Sequence, residues 1–270
     1  MRPDQFEFIR GFLKKRSGLV LGEDKAYLLE SRLTPLARKQ ELGDLESLLD
    51  VLMKGGNAAL ESAVTEAMTT NESFFFRDQK PFDLFVNTVM PHLVETRSGQ
   101  RAFRIWSAAA SSGQEPYSLA MLLKEHAAKF PGWRHEIVGT DLSSAIIAKA
   151  KAGKYSQFEV QRGMPIQLLV KYFDKIDDQW QIKPDLRAMV DYKELNLLHD
   201  FKALGTFDVV YCRNVLIYFD QPTKKMVLEN IARQMTPDGF LFLGGAETVL
   251  GITETFKPIP GLRGIYKMAE

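Results

Sequence analysis

Apolar positions in the first quarter of the chain recur at helical spacing and give no strand signal. Phe6, Ile9, Phe12 and Leu13 share one helix face, and Tyr27, Leu28, Leu33 and Leu36 share another. Asp44 ahead of Leu45, Leu48, Leu49 and Leu52 predicts a capped third helix that stops at Gly55-Gly56, and Ala58 to Met68 supplies a fourth. Residues 1–72 are therefore expected to form an all-α domain. Past residue 80 the period changes. Phe82 to Val94 reads as a helix, and Ala102–Ser107, His135–Asp141, Val190–Leu195, Phe207–Tyr211 and Gly239–Leu243 read as strands with helices between several of them. That alternation predicts an α/β domain over residues 73–270, built on a doubly wound, mainly parallel sheet with both faces covered.

Residues 155–189 interrupt the rhythm. Lys171 to Lys175 and Gln179 to Ile182 alternate around Asp177-Asp178, which predicts a small inserted antiparallel β-subdomain. Its aromatic, apolar content suits an accessory surface better than a catalytic one.

The densest chemistry lies in Arg104-Ile-Trp-Ser-Ala-Ala-Ala-Ser-Ser-Gly-Gln-Glu-Pro-Tyr-Ser-Leu119. Phe103, Ile105 and Trp106 suit a buried strand, Ser107 to Gly113 carry little side-chain bulk, and Pro116 fits a first helical turn. Ser118 to Lys129 continues at helical spacing, so free helix amides should face a loop that a polar ligand can approach closely. One glycine, Gly113, stands where a dinucleotide fingerprint needs G-x-G-x-x-G, and there is no G-x-x-x-x-G-K-[ST] sequence. A phosphate-free nucleoside such as S-adenosylmethionine fits better than a dinucleotide or ATP.

Ligands of doubly wound sheets lie beyond the carboxyl ends of the strands. Glu115 can complement the helix dipole or accept from a bound hydroxyl. Asp141, ending its strand, can bind ribose hydroxyls or cap the following helix. Asn196-Leu197 and Asn214-Val215 follow the next two strands, where a carboxamide suits an adenine edge or an amino-acid end, or else closes a turn. Thr69 to Arg77 joins the two domains and stacks Phe74, Phe75 and Phe76 beside polar residues. It reads either as a buried hinge or as a segment over the active site, with Arg77 placed for a bidentate grip on a substrate carboxylate.

Composition changes little. With 45% hydrophobic and 26% charged residues the chain is an ordinary globular protein, and 35 Lys and Arg against 34 Asp and Glu favour neither nucleic acid nor membrane. Four dispersed histidines and the single Cys212 show no metal-ligand spacing and no disulfide framework. The N-terminus lacks the order of a signal peptide and no apolar run could span a bilayer, so a cytoplasmic location without membrane insertion is expected. Locally, residues 2–39 hold nine basic side chains against five acidic ones, either a solvated helix face or a docking surface for an acidic partner.

Four segments in this order resemble the signatures of the bacterial chemotaxis receptor methyltransferase family, over nearly the whole chain: Thr70-Asn-Glu-Ser-Phe-Phe-Phe-Arg77, Trp106-Ser-Ala-Ala-Ala-Ser-Ser-Gly-Gln-Glu-Pro-Tyr-Ser118, Gly139-Thr-Asp-Leu-Ser143 and Cys212-Arg-Asn-Val-Leu-Ile-Tyr-Phe219. The resemblance implies a class I, Rossmann-like methyltransferase that moves a methyl group from S-adenosylmethionine to glutamates on the cytoplasmic helical bundle of chemoreceptors. Glutamate methyl esters and S-adenosylhomocysteine would be the products. By the family pattern Asn71, Ser73, Arg77, Glu115, Asp141, Asn196, Leu197, Asn214 and Val215 contact the cofactor or its pocket. Ser73 stands where the family usually has Thr and keeps the hydroxyl. Arg77 and Tyr218 are the expected catalytic pair, gripping and orienting the substrate carboxylate. The family's helical domain and β-subdomain match the two accessory regions. In some members that subdomain grips a receptor tether peptide, whereas the short, glycine-free turn at Asp177-Asp178 looks more like members that do not need the tether. Two rivals share the cradle: a methyltransferase for another substrate, and a non-catalytic signalling adaptor.

Overall fold

The computed structural model describes residues 1–269. It divides into two compact units, Met1–Thr70 with Tyr218–Thr223, and Asn71–Ile217 with the chain from Lys224 onward. The first unit packs four helices, α1 (Pro3–Ser17), α2 (Tyr27–Lys39), α3 (Leu45–Lys54) and α4 (Ala58–Met68), around a core that includes Ile9, Leu13, Leu29, Leu33, Leu48 and Val64. The caps follow local chemistry: the Asp44 carboxylate accepts from the Ser47 N–H at 2.8 Å, and Asn57 does the same for Leu60 at 3.0 Å. Such a cap contributes about 1 kcal/mol. The returning segment is tied in by Val20, whose N–H donates to the Tyr218 carbonyl at 2.9 Å, and by Lys14 against Asp220 at 2.7 Å.

Several of the basic side chains of residues 2–39 are used inside this unit. Arg2 meets Asp50 at 2.5 Å, Arg16 meets Glu61 at 3.4 Å, and Arg32 donates to the Met68 and Thr69 carbonyls. Lys15, Lys25, Arg38 and Lys39 remain exposed.

The second unit opens with one helical run rather than the plain helix expected over Phe82–Val94. It comprises α5 (Lys80–Leu84), a π-helical turn (Phe85–Val89) and α6 (Met90–Thr96). Pro91 has no N–H to bond the carbonyl four residues back, and the Met90 N–H reaches the Phe85 carbonyl five residues back. Then follow β1 (Ala102–Ser107), α7 (Gln114–Glu125), β2 (Arg134–Asp141) and α8 (Ser144–Ala152). The insertion holds β3 (Lys154–Ser156), α9 (Gln157–Gln161), α10 (Ile166–Tyr172), β4 (Phe173–Ile176) and β5 (Gln179–Ile182). The expected hairpin is therefore present around Asp177-Asp178, with β3 added as a third antiparallel strand in the order β3-β5-β4. The chain closes with α11 (Pro184–Arg187), β6 (Val190–Glu194), β7 (Phe207–Cys212), α12 (Gln221–Ala232), β8 (Met235–Leu243), β9 (Phe256–Pro258) and β10 (Ile265–Met268).

The main sheet runs β6-β2-β1-β7-β8-β10-β9, parallel through the first five strands and antiparallel at the last two. Every residue of β7 is buried, as a central parallel strand covered on both faces requires. From β1 the chain winds outward through β2 to β6 and then returns to β7 on the other side, so strand order reverses between β1 and β7. Register aligns the strand ends there, with Ser107 opposite both Gly139 and Tyr211. A crevice at such a reversal is where doubly wound sheets take their ligands. Away from those strand ends, near the start of β7, Asp208 is buried against Arg97 (2.6 Å) and accepts the Arg104 N–H (2.8 Å). Arg97 also holds the Asp238 carboxyl well below the usual carboxylate range. Among the described residues no helix is long and apolar enough to cross a membrane.

Candidate active site

β1 hands the chain to a loop laid across the ends of its neighbours. The Ala108 N–H donates to the Tyr211 carbonyl and the Ala110 N–H to the Thr140 carbonyl, both at 2.8 Å. Gly113 closes the loop at φ 96°, where a Cβ would also lie 2.6 Å from the Tyr192 hydroxyl. Only glycine meets both conditions. Within β2, a Cβ on Gly139 would strike the Tyr192 ring at 2.7 Å and Ala110 at 3.3 Å. Behind the loop the Tyr155 hydroxyl donates to the Ser112 carbonyl at 2.7 Å and the Tyr117 hydroxyl to the Ala150 carbonyl at 2.8 Å. Burial pushes the Tyr117 hydroxyl up to about 12 and that of Tyr155 well above its ordinary value, so both remain donors near neutrality. The helix expected to have Pro116 in its first turn and to continue to Lys129 runs from Gln114 to Glu125, with Gly113 as its N-cap and Glu115 in the first turn.

Glu115 is the electrostatic centre of this loop. Its Oε1 accepts from the Ser107 hydroxyl at 2.9 Å and its Oε2 from Arg213 Nη1 at 2.7 Å. Arg213 Nη2 donates in turn to Asp78 Oδ2 (2.7 Å) and to the Arg77 carbonyl (2.9 Å). The Arg213 side chain is 1% exposed, and its Nε is buried without a hydrogen-bond partner. One guanidinium thus joins the end of β7, the first turn of α7 and the segment that carries Arg77.

That segment runs along the cradle. The Ser111 hydroxyl donates to the Asn71 carbonyl at 2.9 Å and the Phe76 N–H to the Ser118 hydroxyl at 3.0 Å. Phe75 is buried edge-on against Tyr155 and Phe173, and Arg162 from the insertion meets Glu72 at 2.7 Å and stacks over Phe74. Ser73 is half-buried in this stretch. Arg77, half-buried, donates to the Glu72 carbonyl at 2.9 Å and lies 5.5 Å over the Phe74 ring.

The remaining predicted residues lie beyond neighbouring strand ends. Asp141 accepts from the Ser111 N–H (2.9 Å) and the Ser143 N–H (3.2 Å). It is not the helix cap, because Ser143 takes that position, accepting from the Ile146 N–H. Burial pushes the Asp141 carboxyl up, opposed by the backbone donors of Ser143, Ser111 and Leu142. Asn196 follows β6 and closes a turn through the Leu198 N–H (3.0 Å), with Leu197 buried beside it. Asn214, two residues past β7, stands at φ 59°, and Val215 follows it. Tyr218 falls in the segment that groups with the helical unit.

These side chains could hold S-adenosylmethionine. The buried Glu115 and the unpartnered Arg213 Nε suit the two charges of an amino-acid end, Asp141 suits ribose hydroxyls, and the small-residue loop admits close approach of the backbone. Sequence reasoning assigned no role to Arg213 or to Glu247, which accepts four backbone N–H groups from the loops after β7 and β8. A charged residue directly after the strand Phe207–Cys212 was the available signal for Arg213. For Glu247 the sequence carried none.

Residues 71–265 match the family model of the CheR methyltransferase SAM-binding domain, and residues 4–69 match that of the CheR methyltransferase all-alpha domain. The chain is 40% identical over 269 residues to chemotaxis protein methyltransferase Cher2 of Pseudomonas putida, covering 98% of each. It is 41% identical over 271 residues to chemotaxis protein methyltransferase 1 of Pseudomonas aeruginosa, covering 98% of this chain and 97% of that one.

Proposed function

This chain belongs to the CheR methyltransferase family, and from that premise we propose that it methylates specific glutamate side chains on the cytoplasmic helical bundles of chemoreceptors, forming glutamate methyl esters and S-adenosylhomocysteine. S-adenosylmethionine, the family's cofactor, supplies an electrophilic methyl group. Every other requirement falls on the chain. Glu115 and Arg213 hold the amino-acid end and Asp141 the ribose, while Asn71, Ser73, Asn196, Leu197, Asn214 and Val215 complete the pocket. Arg77 grips the acceptor carboxylate and also borders the cofactor, and Tyr218 orients the acceptor. A glutamate carboxylate, with a reference pKa of about 4.3, is ionised near neutrality, so no general base is required. Orientation and exclusion of water carry the catalysis, and orientation can contribute roughly 7–11 kcal/mol.

The observation that supports this reading most directly is Arg213. A single buried guanidinium binds Glu115 in the cradle and the backbone of Arg77 on the acceptor side, so cofactor and acceptor geometry are set together. Exposed Lys15, Lys25, Arg38 and Lys39 suit an acidic helical partner, with steering that weakens as salt rises. The short turn at Asp177-Asp178 favours receptor recognition without a tether peptide, and the reaction would take place in the cytoplasm. The test is incubation with labelled S-adenosylmethionine and cytoplasmic fragments of the cell's own receptors. Label should enter the fragments at discrete glutamates; fragments left unlabelled by an enzyme that binds cofactor would overturn the substrate assignment.

The raised pKa of Asp141 gives a pH prediction. Ribose hydroxyls donate more strongly to the carboxylate than to its protonated form, which keeps fewer and weaker acceptor sites. Affinity for S-adenosylhomocysteine is therefore full above the raised pKa and falls as pH drops through it, at a higher pH than for an ordinary aspartate. Calorimetry across acid pH should show this dependence in the wild type and not in Asp141→Asn, whose affinity should be low throughout. An identical pH profile in the variant would release Asp141 from the ribose.

A further inference from the structure

Glu247 lies in the loop after β8, and its carboxylate is shared among four backbone donors. Oε2 accepts from Asn214 (2.8 Å) and Gly244 (2.7 Å), and Oε1 accepts from Val215 (3.0 Å) and Ile217 (3.2 Å). One side chain therefore pins the turn after β7 to the loop after β8, at the strand ends where ligands of this fold bind. Asn214 stands at φ 59°, a left-handed conformation that asparagine adopts more readily than other non-glycine residues but still at some cost, which neighbouring contacts can offset. Gly244 leaves the carboxylate room to enter, since a Cβ there would lie 2.7 Å from Glu247 Oε2 and 2.8 Å from Asn214 Nδ2.

We propose that Glu247 is a positioning residue for methyl transfer. Its carboxylate holds Asn214 and Val215 in the conformation that receives the cofactor. The inference rests on the reading of Asn214 and Val215 as cofactor residues. Both carboxylate oxygens are used as acceptors, and backbone N–H bonds to an ionised acceptor are stronger than neutral ones. Glutamine at this position keeps the shape but replaces one acceptor with an NH₂ group, which meets two of the N–H groups donor against donor.

The experiment measures S-adenosylhomocysteine affinity by calorimetry and backbone hydrogen exchange at residues 214, 215 and 217, in wild type, Glu247→Ala, Glu247→Gln and Asn214→Ala. Glu247→Ala should speed exchange at all three amides and weaken affinity about ten-fold, the scale expected for losing charge-assisted hydrogen bonds. Glu247→Gln should fall between it and the wild type on both readouts, and it carries the test if the alanine variant does not fold. Faster exchange with unchanged affinity would overturn the proposal, as would unchanged exchange. A Glu247→Ala variant that loses affinity beside an Asn214→Ala variant that keeps it would instead overturn the cofactor role of Asn214, leaving the anchor in place.

Discussion

Arg213→Ala should destabilise the protein by about 3–5 kcal/mol, the range for breaking a buried ion pair by removing one partner. The side chain is 1% exposed and joins Glu115, Asp78 and the Arg77 carbonyl, so its loss leaves the Glu115 carboxylate buried without its cation and frees the segment that carries Arg77. Denaturant unfolding should show a lower midpoint, and S-adenosylhomocysteine should bind more weakly. Arg213→Lys should not restore either property, because an ammonium cannot match the fork that serves a carboxylate on one nitrogen and two acceptors on the other. Arg213→Met combined with Glu115→Gln should unfold at a higher midpoint than Arg213→Met alone, since the orphaned charge is gone. An Arg213→Ala protein as stable as the wild type would remove the guanidinium from the centre of the site.

Arg77→Ala should lower methyl transfer to a receptor fragment about a hundred-fold, the scale on which small misplacements of reacting groups act. Arg77 is half-buried, and its guanidinium is held by the Glu72 carbonyl and the Phe74 ring, so it can turn to an incoming carboxylate. Binding of S-adenosylhomocysteine should change far less, because the Arg77 contact to the cradle is made by its backbone carbonyl, which alanine retains. Arg77→Lys should rescue poorly if the grip is bidentate. Equal loss of transfer and of cofactor affinity would place the guanidinium on the cofactor alone.

What could be read from the chain and what could not divide by the range of the forces involved. β1 was legible to the residue because Phe103, Ile105 and Trp106 are closed abruptly by the small residues from Ser107 onward, and β7 to within one residue, Cys212, because Val209, Val210 and Tyr211 suit a strand buried on both faces. The caps at Asp44 and Gly55 were legible because capping is a local contest for a few backbone groups. The antiparallel strands β9 and β10 were not, being three and four residues long and specified by pairing with β8 and with each other. β3 escaped for the same reason, with only Lys154–Ser156 to declare it.

The site follows the same division. Glu115, Asp141 and Asn214 could be named because each opens a helix, ends a strand or lies just past one, where the fold puts ligands. What each touches could not: Arg213 lies 98 residues from Glu115, and Glu247 lies 33 from Asn214. Asp141 could have capped α8 on local rules alone, and only the tertiary structure gives that duty to Ser143 and leaves Asp141 facing Ser111. Arg213 was visible as part of a motif, yet its role depends on three elements meeting at one guanidinium.

The central claim is that the chain transfers the methyl group to a carboxylate oxygen, and the lability of the product bond tests it most directly. Receptor fragments labelled from methyl-labelled S-adenosylmethionine should release volatile methanol on treatment with mild base, because a carboxyl methyl ester hydrolyses where a methylated amine does not. Label that survives base on the fragment would contradict the account and assign the methyl group to nitrogen.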